Sequence, residues 1–300
     1  MAAPLEARLY NPLNPNPWDT TFGHNENCTL DTCDVETSIF TYQPSLAANA
    51  VFIALFGTSL VLHAAQGIRW RTWVFTVAMV LGCMAEMVGY GGRIMMHANP
   101  FSFVGFMVQI VCITTAPVFY TAAIYVTLSK IVVFLGPEHS RFSPALYYWI
   151  FIPCDLVSLA LQATGGAMSA NSSGSDKVGV DISLAGLSFQ VCSLVVFVLL
   201  VVDFAFRYRR SKHREILPTT FKCFVFVLSL AITLILVRCV YRIDELSDGY
   251  KGPLIHNEGL FIGLEGVMIV IATFVLNVAQ RGLAFMSSER NAAIRMTETK

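Results

Sequence analysis

The sequence predicts an all-α fold, a polytopic membrane protein of seven transmembrane helices with its N-terminus outside and its C-terminus in the cytosol. Two observations predict the class. Of 300 residues, 55% are apolar and 13% charged, and the mean hydropathy of +0.61 lies outside the usual range of soluble globular chains. The apolar residues also gather in seven runs, each of about 20 residues or more, the length an α-helix needs to cross a hydrocarbon core about 30 Å thick. A third observation sets the orientation: Lys and Arg crowd into alternate connections, and basic loops stay on the cytoplasmic side.

Residues 1–43 are Asn- and Pro-rich ("NPLNPNPWD") and acidic, so they read as an irregular, solvated extracellular tail. They carry no basic stretch followed by an apolar one, which leaves the first run, Leu46–Ala65, as the insertion signal. Arg69 and Arg71 then place the first connection inside, and the second run, Trp73–Gly92, returns outward. The third run, Phe103–Leu128, holds Pro117, and the fourth, Ala145–Ala167, holds Pro153; each proline is expected to kink its helix and open space. Lys130 and Arg141 mark the connection between them as inner. The fifth run, Ile182–Phe206, ends in the basic stretch "RYRRSKHR", and Phe221–Val240 and Gly259–Ala279 complete the set. Gly259 and Gly263 form a GxxxG pattern, a signal of close helix packing. Residues 44–280 are thus the transmembrane domain and 281–300 a cytosolic tail.

With this orientation the outer segments hold few basic residues: Arg8, Arg93, Lys177, Arg242 and Lys251. Two sequons fall outside, at Asn27 and Asn171, and are expected to be glycosylated. Cys28 and Cys33 are the only cysteines in outer aqueous segments, where an oxidising compartment permits a small disulfide loop. The zero net charge conceals an acidic outer and a basic inner side. The basic stretch after the fifth run suits an ordinary topology determinant, or contact with anionic lipid at about 1 kcal/mol per residue. Nucleic-acid binding has no support, because the basic residues flank a membrane helix and form no separate surface.

Several runs carry polar residues at helical spacing. Gly82, Glu86, Gly89 and Arg93 share one face of the second run, and Asp155, Ser158 and Gln162 one face of the fourth. Gln109, Gln190, Arg238 and Glu265 add one group each from the third, fifth, sixth and seventh runs. A charge at bilayer depth costs about 2.5–3.5 kcal/mol on insertion scales, so these carboxylates need partners, protons or water. One reading has Arg238 and Arg93 pairing with carboxylates to hold helices together. The other has the set converge on an outward-biased cavity that binds substrate through Glu86, Gln109, Asp155, Ser158, Gln162, Gln190, Arg238 and Glu265. His63, near the inner end of the first run, stands apart.

At these positions the chain resembles the fungal lipid-translocating exporter family, seven-helix membrane proteins associated with aminocholesterol resistance and with transbilayer movement of sphingoid bases. The resemblance runs from about Tyr42 to Asn277. It is carried by Tyr42-x-Pro44-Ser45, His63, Glu86-x-x-Gly89-Tyr90-x-x-Arg93, Gln109, Ala116-Pro117, Asp155-x-x-Ser158-x-x-x-Gln162-x-x-Gly165-Gly166, Gly186-x-x-x-Gln190, Arg238-x-x-Tyr241-Arg242 and Glu258. Near the C-terminus the chain departs from the pattern. Glu265 stands where the family tends to carry Asp, the Pro-Met that usually follows is missing, and Gln280-Arg281-Gly282 replaces His-Pro-Gly.

The resemblance implies an exporter or translocator of amphiphilic lipids such as sphingoid bases or aminosterols, or a resistance protein against them, in the plasma membrane. Membrane lipids and cationic amphiphiles are the expected partners, and Asp155 and Glu86 the expected ion-pairing sites for an ammonium group. A seven-helix lipid-sensing receptor is the first alternative. An intramembrane metal-dependent lipid hydrolase is the second, although zinc chemistry needs about three protein ligands and only His63 among the six histidines lies clearly inside a run. No catalytic residue, metal site or cofactor is expected, and no GxxxxGK[ST] phosphate loop points to ATP.

Overall fold

The computed structural model describes residues 35, 38, 40–136, 140–171, 177–210, 219–247, 257–280 and 282. Asn27, Cys28, Cys33, Lys212, Arg214 and Lys251 lie outside the described residues, as does the side chain of Asn171. Within them the fold is all-helical, with seven helices long and apolar enough to span a membrane. They are α1 (Leu46–Trp70), α2 (Trp73–Ala98), α3 (Phe103–Leu135), α4 (Leu146–Asn171), α5 (Lys177–Arg210), α6 (Thr219–Ser247) and α7 (Glu258–Gln280). Each contains nearly all of the apolar run expected there and most extend several residues beyond it, because a helix need not stop at the edge of the hydrocarbon.

Local chemistry fixes several ends. Ser45 and Ser102 cap α1 and α3 by accepting from the amides of Ala48 and Gly105. Arg71, at φ 54°, takes the left-handed turn that ends α1 two residues before α2 begins. Asn257 caps α7, whose residues Phe261–Val267 wind as a π-helix. Such segments are rare and recur at functional sites.

Neighbouring helices pack antiparallel where small residues let them approach. A Cβ on Gly92 would sit 2.7 Å from the Gly105 carbonyl oxygen and 2.8 Å from the Gln109 amide nitrogen, so α2 and α3 touch backbone to backbone. On α4 and α5, Gly165 faces Gly179 and Ser183, while Gly186 faces Ser158 and Gln162. Gly259 and Gly263 do not meet another helix; the tight position on α7 is Gly266, against the Phe52 ring of α1. The π-helical winding that begins at Phe261 breaks the four-residue spacing on which the GxxxG expectation rested.

α3 is the most enclosed helix and packs against α2, α4 and α6. α7 runs parallel to α1 and closes the bundle. Ser45 meets Glu258, Ser59 meets Asn277, and His63 meets Gln280. The bundle exterior is apolar, with Val61, Ile68, Trp149, Leu199 and Phe226 all strongly exposed. In water this surface would be untenable; against lipid it is expected.

Candidate functional site

The first polar group is built on Pro117. Proline has no amide hydrogen, so the carbonyl of Ile113 one turn earlier loses its intrahelical donor. Arg238 of α6 supplies the missing hydrogen: its Nη2 donates to the Ile113 oxygen at 2.7 Å and also to Glu265 Oε1 of α7. Glu86 of α2 lies within electrostatic reach of both charges. All three side chains are buried, at 3% exposure for Arg238 and 1% for each carboxylate. Glu86 Oε1, Glu265 Oε2 and Arg238 Nε have no hydrogen-bond partner.

A second group surrounds Arg93, which is fully buried near the α1-start end of the bundle. Its Nε donates to Asn49 at 3.2 Å and its Nη2 to the Tyr42 hydroxyl at 3.1 Å, with Glu258 at 3.6 Å. The guanidinium lies 3.9 Å from the centre of the Phe261 ring, a cation–π contact in a desolvated place. Burial pushes the Tyr42 phenol above its ordinary value, with Arg93 opposing, so it stays a neutral partner. The Ser45 amide and Tyr42 thereby tie the chain ahead of α1 to α2 and α7.

The third group lies between α3, α4 and α5. Asp155 accepts from Thr121 at 2.9 Å and Tyr125 at 3.0 Å through Oδ2, while its buried Oδ1 has no partner. Farther along the same face of α4, Ser158 donates to the Gly186 carbonyl, and Gln162 donates to Ser158 at 2.8 Å and to Gln190 at 3.0 Å. This ladder borders a cleft of about 400 Å³ between α3, α4, α5 and α6. Its wall is largely apolar, including Ile110, Leu159 and Leu187, and its polar positions include Thr114, Gln162, Ser183 and Arg242. Arg242 is ion-paired with Glu245.

The structure thus places the eight expected binding residues in separate groups rather than around one cavity. Gln162 lines the cleft, and Gln109 lines a smaller recess beside Arg242 and Glu245. Ser158 and Gln190 hold Gln162 from behind, Asp155 lies one turn deeper, and Glu86, Arg238 and Glu265 form their own cluster. Helical spacing reports a shared face, not a shared neighbour, which is why the convergence failed. Sequence reasoning missed Thr121, Tyr125, Thr114 and Ser183; hydroxyls in an apolar run were the available signal. Arg242, an outer basic residue and part of the Arg238-x-x-Tyr241-Arg242 motif by sequence, also lines the cleft.

His63 belongs to none of these groups. It is buried between α1 and α7, with Nδ1 2.8 Å from Gln280 Oε1, and Gln280 also donates to Thr72 and Thr76 of the α1–α2 turn region. Among the described residues, no three His, Cys, Asp or Glu side chains gather as a metal-ligand set.

The RTA1 like protein family matches residues 79–288. The chain is 31% identical over 291 residues to the sphingoid long-chain base transporter RSB1 of Saccharomyces cerevisiae, covering 85% of this chain and 75% of that one. It is 29% identical to Protein RTM1 of Saccharomyces cerevisiae, covering 67% of this chain and 66% of that one. Protein RTA1 from the same species is 24% identical, with 80% and 84% covered. No solved structure matches.

Proposed function

Because the chain belongs to the RTA1-like family, we propose that it translocates or exports amphiphilic lipids, with long-chain sphingoid bases or aminosterols as the substrate class. The similarity to a sphingoid long-chain base transporter over 85% of the chain carries this reading. The geometry supports it. An apolar cleft between helices suits a hydrocarbon chain, and a buried carboxylate with one unused oxygen, Asp155, suits an ammonium headgroup passing the membrane interior. Thr121 and Tyr125 hold the other oxygen, so the carboxylate is already oriented. Gln162, braced by Ser158 and Gln190, offers neutral polar contacts along the cleft.

We infer a plasma-membrane location from the family resemblance, and an outside N-terminus from the distribution of basic residues. The cleft and the Arg93 cage then belong to the outer half of the bundle, and His63 to the inner half.

Asp155→Asn tests the reading, because it keeps size and hydrogen bonding but removes the charge. Binding of a sphingoid base and of its neutral N-acylated counterpart is measured for wild type and variant in the same nanodiscs at equal folded fraction. The amine is expected to lose about tenfold or more in affinity, the loss of one charge-assisted contact worth about 1.4 kcal/mol, with little change for the neutral lipid. Equal losses for both ligands, or none for either, would remove Asp155 as the ammonium site.

A further inference from the structure

The Glu86–Arg238–Glu265 cluster contains two carboxylates and one guanidinium, enclosed among α2, α3, α6 and α7. If both acids were ionised, the cluster would hold a net negative charge in a medium that solvates charge poorly, and that state is disfavoured by several kcal/mol. The hydrogen bonds identify which acid is compensated. Glu265 takes the guanidinium directly, whereas Glu86 Oε1 is buried without any partner.

Among the described residues, Arg238 is the one positive charge that acts on Glu86. On its own helix the titratable neighbours are Cys83 and Tyr90, and α3 contributes Cys112 and Tyr120. Arg238 faces it from α6 and Glu265 from α7. The titratable residues of α1, His63 and Arg69, lie toward the other end of that helix. Arg93, two turns along α2, is taken up by Glu258. The Tyr90 hydroxyl is itself buried without a hydrogen-bond partner.

We propose that Glu86 is a proton-binding site in the membrane interior, and that proton release there is linked to substrate movement through competition for Arg238. The protonated carboxyl leaves Arg238 to Glu265. When Glu86 gives its proton to water, the new carboxylate competes with Glu265 for the guanidinium, and the proton is regained as Arg238 returns. Glu265 is placed to respond, because it lies in the π-helical segment Phe261–Val267. Relaxing one π turn to α shifts the register of the residues before it by one position, which would turn Glu265 away from Arg238 and move Phe261 relative to Arg93. The linkage to substrate rests on the transport reading above; the proton site does not.

Two measurements test this. Infrared spectra of the purified full-length protein in lipid, in water and in deuterium oxide, should show a protonated carboxyl carbonyl band that Glu86→Gln abolishes and Asp155→Asn leaves in place. Glu86→Gln should also keep wild-type folded yield, since it replaces a neutral group with a neutral one. A spectrum unchanged by Glu86→Gln, or a band lost only in Glu265→Gln, overturns the site; a folding defect in Glu86→Gln as large as that of Arg238→Leu does the same.

In proteoliposomes, an imposed proton gradient should change the rate of labelled sphingoid-base movement several-fold for wild type and not for Glu86→Gln. Protein-free vesicles under the same gradient remove the partitioning of the amine itself. Gradient-independent movement by wild type overturns the linkage while leaving the transport reading intact. Absence of any wild-type movement overturns the transport reading and the linkage with it, and the infrared band still decides the proton site.

Discussion

Arg238 donates to the carbonyl oxygen of Ile113, the one backbone acceptor of α3 that Pro117 deprives of its usual donor. A side chain from α6 therefore repairs the backbone of α3 and, through the same nitrogen, binds Glu265 of α7. Three helices meet at one guanidinium, and each contact makes the others harder to lose.

Arg238→Leu is expected to lower folded yield strongly, because removing one partner of a buried ion pair costs about 3–5 kcal/mol. Pro117→Ala should partly rescue it by returning an amide donor to Ile113, recovering about 1–3 kcal/mol of the unsatisfied-carbonyl penalty. Thermal unfolding of the four combinations in one detergent measures this coupling. Strict additivity would show that the Ile113 contact contributes nothing.

Gly91 and Gly92 are adjacent but differ in what surrounds them. A Cβ at Gly91 meets nothing within 4 Å, whereas one at Gly92 runs into the backbone of α3. Gly92→Ala should therefore destabilise by about 1–3 kcal/mol, the usual range for overpacking, while Gly91→Ala is neutral or slightly stabilising. Equal melting temperatures for the two variants would contradict the close approach of α2 and α3.

The cleft can be filled from the lipid side at Ala163, which lines it and is exposed. Ala163→Phe is expected to leave folding intact and to reduce sphingoid-base movement severalfold. An undiminished rate in proteoliposomes would move the substrate path elsewhere in the bundle.

The orientation is open to direct measurement. Asn27 and Asn171 should accept glycans or impermeant reagents from outside, and residues 207–214 should be reached only from the cytosol. Cytosolic labelling of a tag beside Asn171 would invert the bundle.

Most of the fold was legible because crossing hydrocarbon demands length and apolarity, and all seven runs showed both. The nearness of Arg238 and Glu265 was legible too, as opposite charges at similar depth. The Arg93 cage was not, since Tyr42, Asn49, Glu258 and Phe261 come together only when α7 closes on α1. Nor did spacing reveal that Asp155 belongs to Thr121 and Tyr125 rather than to Glu86. A helical wheel describes one cylinder, and these groups depend on how three are rotated against each other. The π-helical turn left no pattern of its own beyond glycines at 259, 263 and 266.

The parallel pairing of α1 with α7 has a consequence for biosynthesis. α1 enters the bilayer first, carrying Ser59 and His63, whose partners Asn277 and Gln280 are at the far end of α7, the last of the seven helices to emerge from the ribosome. Until then those polar groups face lipid, water or a chaperone. A nascent chain stalled before α7 would present an open seam along its first helix, a mark by which the cell's quality control can tell an unfinished protein from a finished one.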